Sequence, residues 1–442
     1  MLKVLKKGKR NILAVRSLLV QVGVLATCKI VVGHLFFGKP AGEAAAQRRL
    51  RDFIEESAQA EPSSSHLAAP ILAPVGVIDY FSWEEYGGSS VAPEVGDCFI
   101  WFVPDWLNVW GGGHFTLFRF ADFFSRRGVR NILYIYDNLR HKDGAYLEGE
   151  LRKAIPGCRL EVIVSPKLLP KCRAAFATTW QSAYNLRAFP FAKNKFYFMQ
   201  DYESYFYGFG TKSLQANKTY EFGFTGITSG KWLRGIFEGY GGKALDFTAA
   251  TDKEIFFPGE VGGVVRPKVK RVFFYGRPST ERRCYELGIT ALAYIAKRYP
   301  DVEILIAGLD LSDQPPFRAT LLGNLTLKET GELYRTCDVG IAFSGTNLSY
   351  LPIELMASGV PLITNGGPHV EWYCLDERNC LIVDPVARAV MGAFDRLYVD
   401  ASLRQRLATG GLSTAAERTW EGEMDHILNF VDEVCRGNQS DS

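Results

Sequence analysis

Arg277, followed by Arg282 and Arg283, stands at the end of the apolar run KRVFFYGRP (270–278). A guanidinium is planar, stays charged and can grip two phosphate oxygens at once. The chain shows no metal-ligand spacing, so the charge of any phosphate bound here would fall to such protein cations. A surface arginine after a strand is the plainer reading of each. Glu354 lies in YLPIELMASGVPLITN (350–365), which reads as a loop, a helix beginning near Pro352, a Gly359-Val360-Pro361 turn and a buried strand. Proline suits a first helical turn, where its missing N–H would be unpaired anyway. That start puts Glu354 in the first turn, among free N–H groups at the positive end of the helix dipole. Such a place can hold a polyhydroxyl or phosphate ligand. A solvated carboxylate on a well-capped helix reads equally well.

Two further sets lie earlier in the chain. The triplet Gly111-Gly112-Gly113 lets backbone N–H groups approach a phosphate or sugar without side-chain obstruction, or serves only as a turn. Asp201 and Glu203 follow the run KFYFMQ (195–200) and could orient or deprotonate a sugar hydroxyl. Both could equally be solvated loop carboxylates, the favoured reading for Glu203.

The elements that must position these groups alternate strand and helix. CFIWFVP (98–104) is an unbroken apolar run, as a strand buried on both faces should be. The glycine triplet follows it, then HFTLFRFADFFSRRG (114–128) at helical spacing and the strand RNILYIYD (130–137). This is a Rossmann-like opening, but without G-x-G-x-x-G or a ribose-binding acid, so no NAD is expected. Further strands are expected at 159–165, 174–179, 195–200, 270–278, 302–308 and 379–385. Helices are expected at 281–299, 386–398 and 402–418, and from Trp420 to about 435. Ligands of open α/β sheets bind beyond the carboxyl ends of strands, which is where the residues above fall.

Length and composition set the frame. A chain of 442 residues, 47% hydrophobic and 22% charged, predicts a folded protein of two ordinary domains. A net charge of +3 makes no case for nucleic acid. The nine cysteines are scattered without a CxxC, which predicts reduced thiols and a cytoplasmic setting; neither they nor the six histidines show metal-site spacing. Residues 1–38 are basic and apolar, with Arg16 and Lys29 breaking the ~18–20 clean apolar residues of a spanning helix. A segment lying on the inner face of the cell membrane and a helix packing on protein are both open. The expected divisions are an N-terminal segment (1–56), a linker (57–70), a first Rossmann-like domain (71–262), a second (263–418) and a final crossover helix and tail (419–442).

The stretch E-L-M-A-S-G-V-P-L-I (354–363) resembles the nucleotide-sugar signature of GT-B glycosyltransferases, especially family 4. The resemblance covers about residues 98–435, and Ser349–Glu354, Gln200–Glu203 and Gly226–Leu233 look closer to a rhamnosyltransferase-like branch. It implies two Rossmann-like domains facing across a cleft, with a C-terminal helix crossing back to the first. It implies transfer of a sugar, rhamnose in that branch, from a nucleoside-diphosphate donor to a cell-surface glycan or lipid-linked acceptor. Configuration would be retained, with neither metal nor further cofactor. Carried over, Glu354 would accept hydrogen bonds from the donor ribose. Arg277 and Arg282, with Gly276, Asn324 and Tyr350, would complete the donor site. Gly111, Gly112, Gly113 and Asp201 would meet the acceptor. Many relatives carry a second Glu eight positions before the first; here that position is Thr346, and Asn324 stands where a Lys is common. Those two departures leave open an idle GT-B module that binds glycan or organises a polysaccharide-assembly complex.

Overall fold

Strand β1 (Cys98–Val103) is buried along its whole length. Its side chains alternate between two cores, Phe99, Trp101 and Val103 on one face of the sheet and Cys98, Ile100 and Phe102 on the other. Trp101 stacks on Phe176 with ring centroids 4.1 Å apart and donates its indole N–H to Asn131 at 2.8 Å. That bond satisfies the one polar atom of a fully buried ring. The computed structural model describes residues 97–440, apart from 107, 138–139, 166–168, 260–266 and 310–313. The expected N-terminal segment, the linker and any membrane contact through residues 1–38 lie outside the described residues.

Six more strands extend the first sheet: β2 (Arg130–Ile135), β3 (Glu161–Val164), β4 (Cys172–Ala177), β5 (Ala192–Met199), β6 (Thr225–Ser229) and β7 (Ala244–Phe247). All pair in parallel, in the order β3-β2-β1-β4-β5-β6-β7. The intervening helices are α1 (Gly112–Arg126), α2 (Gly144–Ala154), α3 (Trp180–Ala188), α4 (Thr211–Lys218) and α5 (Lys231–Gly239). The second sheet comprises β8 (Arg271–Tyr275), β9 (Glu303–Ala307), β10 (Thr320–Gly323), β11 (Val339–Ile341), β12 (Leu362–Asn365) and β13 (Leu381–Val383). Its order, β10-β9-β8-β11-β12-β13, repeats the pattern of the first, again all parallel. Its helices are α6 (Tyr285–Arg298), α7 (Leu327–Tyr334), α8 (Tyr350–Ala357), α9 (Pro368–Glu371), α10 (Ala387–Val399) and α11 (Ala401–Ala416). In each sheet the strand order reverses between the first and fourth strands, which opens a crevice at their carboxyl ends.

A last helix, α12 (Trp420–Ser440), returns to the first domain, as expected. Ile427, Phe430 and Val431 join the core of Phe99 and Phe120, and Glu423 accepts the backbone N–H of Thr248 at 2.8 Å.

Three local expectations are corrected. The helix expected over 281–299 is broken at Cys284, whose φ of 51° ends a short 3₁₀ turn (Glu281–Arg283) before α6 begins. Strand β7 was not expected from the sequence; its four residues are too few to show a period. Ala249 and Phe256 pack in the second domain's core, and Arg335 donates to Ile255 O at 2.8 Å. By packing, the chain therefore crosses between domains near residue 248, ahead of the expected boundary at 262.

Close packing of α6 on the second sheet depends on Gly288. A Cβ there would lie 2.0 Å from the ring of Phe274. Gly288→Ala should cost about 1–3 kcal/mol through overpacking, read as a lowered urea midpoint. Gly149→Ala, in α2 with nothing within 4 Å of its Cβ direction, should instead stabilise by about 0.5–1 kcal/mol.

Candidate functional site

A cleft of about 560 Å³ runs between the carboxyl ends of the two sheets. The first domain contributes Gly112, Gly113, His114, Gln200, Asp201 and Glu203 to its walls, and the second contributes Arg277, Arg282, Arg283, Asn324, Tyr350 and Glu354. Most of the expected residues therefore meet in one place. Gly111 and Gly276 do not reach the wall. Gly111 caps α1, and Gly276 is buried where a Cβ would press on Ile306 and Leu309 at 3.0–3.1 Å.

Glu354 faces the cleft from the second turn of α8, because the helix begins at Tyr350 rather than Pro352. The first-turn placement is thus corrected. Burial pushes its carboxyl up to about 8, and the nearby Asp252 carboxylate adds to the rise. No hydrogen bond to that carboxyl is formed among the described residues. It is a desolvated acceptor open to a hydroxylated ligand.

The three arginines differ in their surroundings. Arg277 is exposed at the end of β8. Arg282 pairs with Asp201 at 3.4 Å, and its guanidinium lies 4.0 Å over the ring of Phe206. Nη1 of Arg283 is buried without a hydrogen-bond partner, as is Nε of Arg282, and desolvation draws the pKa of Arg283 below the usual arginine value. A half-buried cation on a cleft wall without a bonded carboxylate is a natural seat for a phosphate. Arg283 is therefore better placed than Arg282 to be the second phosphate cation.

Both oxygens of Asp201 are engaged. Oδ1 accepts the backbone N–H groups of Tyr202 and Asn347, each at 2.9 Å, and Oδ2 faces Arg282. This arrangement suits bridging the two domains more than deprotonating a hydroxyl. Glu203, expected in solvent, is instead 7% exposed and accepts the N–H of Trp180 at 2.6 Å. Burial, the largest cause, pushes it up to about 8 against that hydrogen bond. Tyr350 also differs from its expected role at a base or phosphate. Its hydroxyl accepts from Thr116 at 2.7 Å, across the cleft in the first domain.

Sequence reasoning missed His114 and Asn347, and singled out Gln200 only as part of the strand-tip run Gln200–Glu203. His114 has a buried, unpartnered Nε2, and burial pulls its imidazole below the ordinary value, toward the neutral form. Gln200 donates to Gly113 O at 2.8 Å and so ties the glycine loop to the end of β5. Asn347 bonds only to the first domain among the described residues. The only sequence signal was position, since each stands next to a strand end or loop already singled out. Thr346, in place of the relatives' Glu, is buried with an unpartnered hydroxyl and does not reach the cleft wall.

Among solved structures, HepE from Anabaena, in complex with UDP and glucose, superposes with a TM-score of 0.60 at 15% identity, covering 76% of this chain and 100% of that one. The chain has the GT-B fold. Sucrose-phosphate synthase from Thermosynechococcus elongatus gives a TM-score of 0.59 at 14% identity, over 77% of this chain and 100% of its own. Residues 270–395 match the family model of the WsaF C-terminal domain. The O-antigen biosynthesis protein RfbC of Myxococcus xanthus is 36% identical over 389 residues, 85% of this chain. The chain spans 29% of RfbC's length. Among the described residues no group of three metal-ligating side chains forms, and no helix is long and apolar enough to cross a membrane.

Proposed function

We propose that the chain is a glycosyltransferase that moves a sugar from a nucleoside diphosphate to a hydroxyl of a surface glycan or lipid-linked oligosaccharide. The observation that carries this reading is the convergence, in one interdomain cleft, of a desolvated Glu354 with Arg277 and a half-buried Arg283 whose Nη1 has no partner among the described residues. A ribose needs hydrogen-bond acceptors and a diphosphate needs cations, and α8 and β8 supply them on the same domain. The bond from the anomeric carbon to the diphosphate oxygen breaks, and the diphosphate leaves with the electron pair, stabilised by Arg277 and Arg283. The acceptor oxygen forms the new bond on the same face, and its proton passes to the departing phosphate, which retains configuration. The protein cations do this without a metal or any further cofactor. Similarity to RfbC supports a place in O-antigen or related polysaccharide synthesis, and the inner face of the membrane is where we propose it acts. Within that setting rhamnose is the sugar to test first.

Glu354 gives a signed test. Ribose hydroxyls donate to the ionised carboxylate, whereas the empty site holds its proton up to about pH 8. Donor affinity should therefore rise between pH 6 and 8 and level off above. Glu354→Gln should flatten this profile, and Glu354→Ala should weaken binding by about 10–100-fold. Calorimetry with a panel of sugar nucleotides, dTDP-rhamnose included, reads both. Wild-type affinity in Glu354→Ala would remove the donor site from this carboxylate. Donor binding without turnover on any glycan acceptor would favour the idle module, the reading that Thr346 supports.

A further inference from the structure

Asn347 belongs to the second domain, in the loop between β11 and α8, and is 2% exposed. Among the described residues its hydrogen bonds all run to the first. The backbone N–H donates to Asp201 Oδ1 at 2.9 Å, and Nδ2 donates to Ser229 O at 2.7 Å and Gln200 O at 3.1 Å. Ser229 ends β6, and Gln200 directly follows β5, so one side chain grips the carboxyl ends of two adjacent strands. Two carbonyl acceptors on one side of the amide fix which atom is nitrogen. The remaining atom, Oδ1, is buried and has no partner, although Asn347 lines the cleft.

A buried acceptor left unpaired is costly, and native proteins seldom keep one without a use. The surroundings indicate the use. Gln200, whose backbone Asn347 holds, ties down the glycine loop through Gly113. Its Oε1 faces the hydroxyl of Tyr350 at 3.4 Å, and Tyr350 opens the helix that carries Glu354. The loop of Asn347 thus joins the glycine loop, the end of β5 and the Glu354 helix.

We propose that Asn347 is a donor-sensing latch: its N–H groups hold the two domains together, and its Oδ1 accepts a hydrogen bond from a hydroxyl of the donor's sugar. This rests on the nucleotide-sugar reading of the cleft. A carbonyl oxygen selects a hydroxyl and rejects a phosphate or carboxylate, which have only acceptors to offer. A free nucleoside diphosphate leaves Oδ1 unpaired, whereas a sugar nucleotide completes the network and favours closure. Asn347 is a positioning residue for the domains and a direct contact for the sugar.

The test compares the full chain with Asn347→Ala and Asn347→Asp, with folding checked by circular dichroism. Asparagine to aspartate keeps the shape but turns the Nδ2 donor into an acceptor facing two carbonyls. Calorimetry measures the affinity for nucleoside diphosphates and for the matching sugar nucleotides, and small-angle scattering reports domain closure. In wild type, adding the sugar should tighten binding about tenfold, one well-placed hydrogen bond, and compact the molecule. Both variants should bind the free diphosphate within about twofold of wild type, since a distant contact is untouched. They should also lose the sugar increment and remain expanded. A sugar increment and closure retained in the variants would overturn the latch, as would wild-type scattering of the free variants. Failure of wild type to bind any nucleotide would overturn the function reading and the sugar contact with it. Scattering of the free proteins would then still decide the clamp.

Discussion

Arg283→Met should leave a protein at least as stable as wild type that has lost about 100–1,000-fold in kcat/KM. The two effects have one cause. Desolvation is the main influence on the Arg283 guanidinium, and its neighbours include two like charges, Arg282 and Arg277, against the single carboxylate of Asp201. Asp201 is already paired with Arg282, and Nη1 of Arg283 has no partner. In the empty cleft such a charge costs stability, and a methionine of similar length removes the cost. A departing diphosphate turns the same charge into transition-state stabilisation, which the methionine cannot supply. Arg282→Met makes the control. It breaks the ion pair with Asp201 and the contact with Phe206, so it should lower stability as well as activity. Release of nucleoside diphosphate and thermal unfolding, measured on the same preparations, separate the cases. Unchanged turnover in Arg283→Met, or a clear loss of its stability, would make Arg283 a structural residue.

Arg283 also marks the limit of what the sequence makes legible. The run KRVFFYGRP announces a buried strand, and its carboxyl end is where a ligand belongs, so Arg277 could be placed from pattern alone. Both of the next two arginines line the cleft, and what separates them is that Asp201 and Phe206, distant in the chain, engage Arg282. The start of α8 escaped for a different reason. A proline is accepted anywhere in the first turn, where all N–H groups are unpaired, so Pro352 bounds the helix start without fixing it. Glu203 and Asn347 were less legible still. Each is polar and sits in a loop, which in the sequence predicts solvent, and each is buried by elements distant in the chain. The two sheets and the returning helix were readable because apolar periodicity is local. The bonds that join the domains are not local, and the sequence around them carries no period.

Stability should fall as the pH rises from about 6 to 8.5, against the common expectation for a protein rich in paired carboxylates. Glu203 and Glu354 both rise from an ordinary 4.5 to about 8, chiefly through burial. Between those values the folded chain holds protons that the unfolded chain has released, so unfolding becomes easier with each unit of pH. The contribution of each group is complete below about pH 4.5 and is lost as the pH passes about 8. Asp105, lowered by its bonds to His141 and Arg140 against the larger effect of burial, works in the opposite sense, but its window lies below pH 4. Glu203→Gln removes one of the two groups while keeping an oxygen that can accept the N–H of Trp180. The variant should match wild type near pH 4.5 and exceed it increasingly up to about pH 8, because the slope loses up to about 1.4 kcal/mol per pH unit. Urea unfolding at the two pH values measures this directly, and equal slopes would place the titrating proton elsewhere. Donor binding gives the counterpart for Glu354. A ligand that prefers the ionised carboxylate adds its stabilisation mostly at high pH, so a saturating sugar nucleotide should flatten the same slope from the other side.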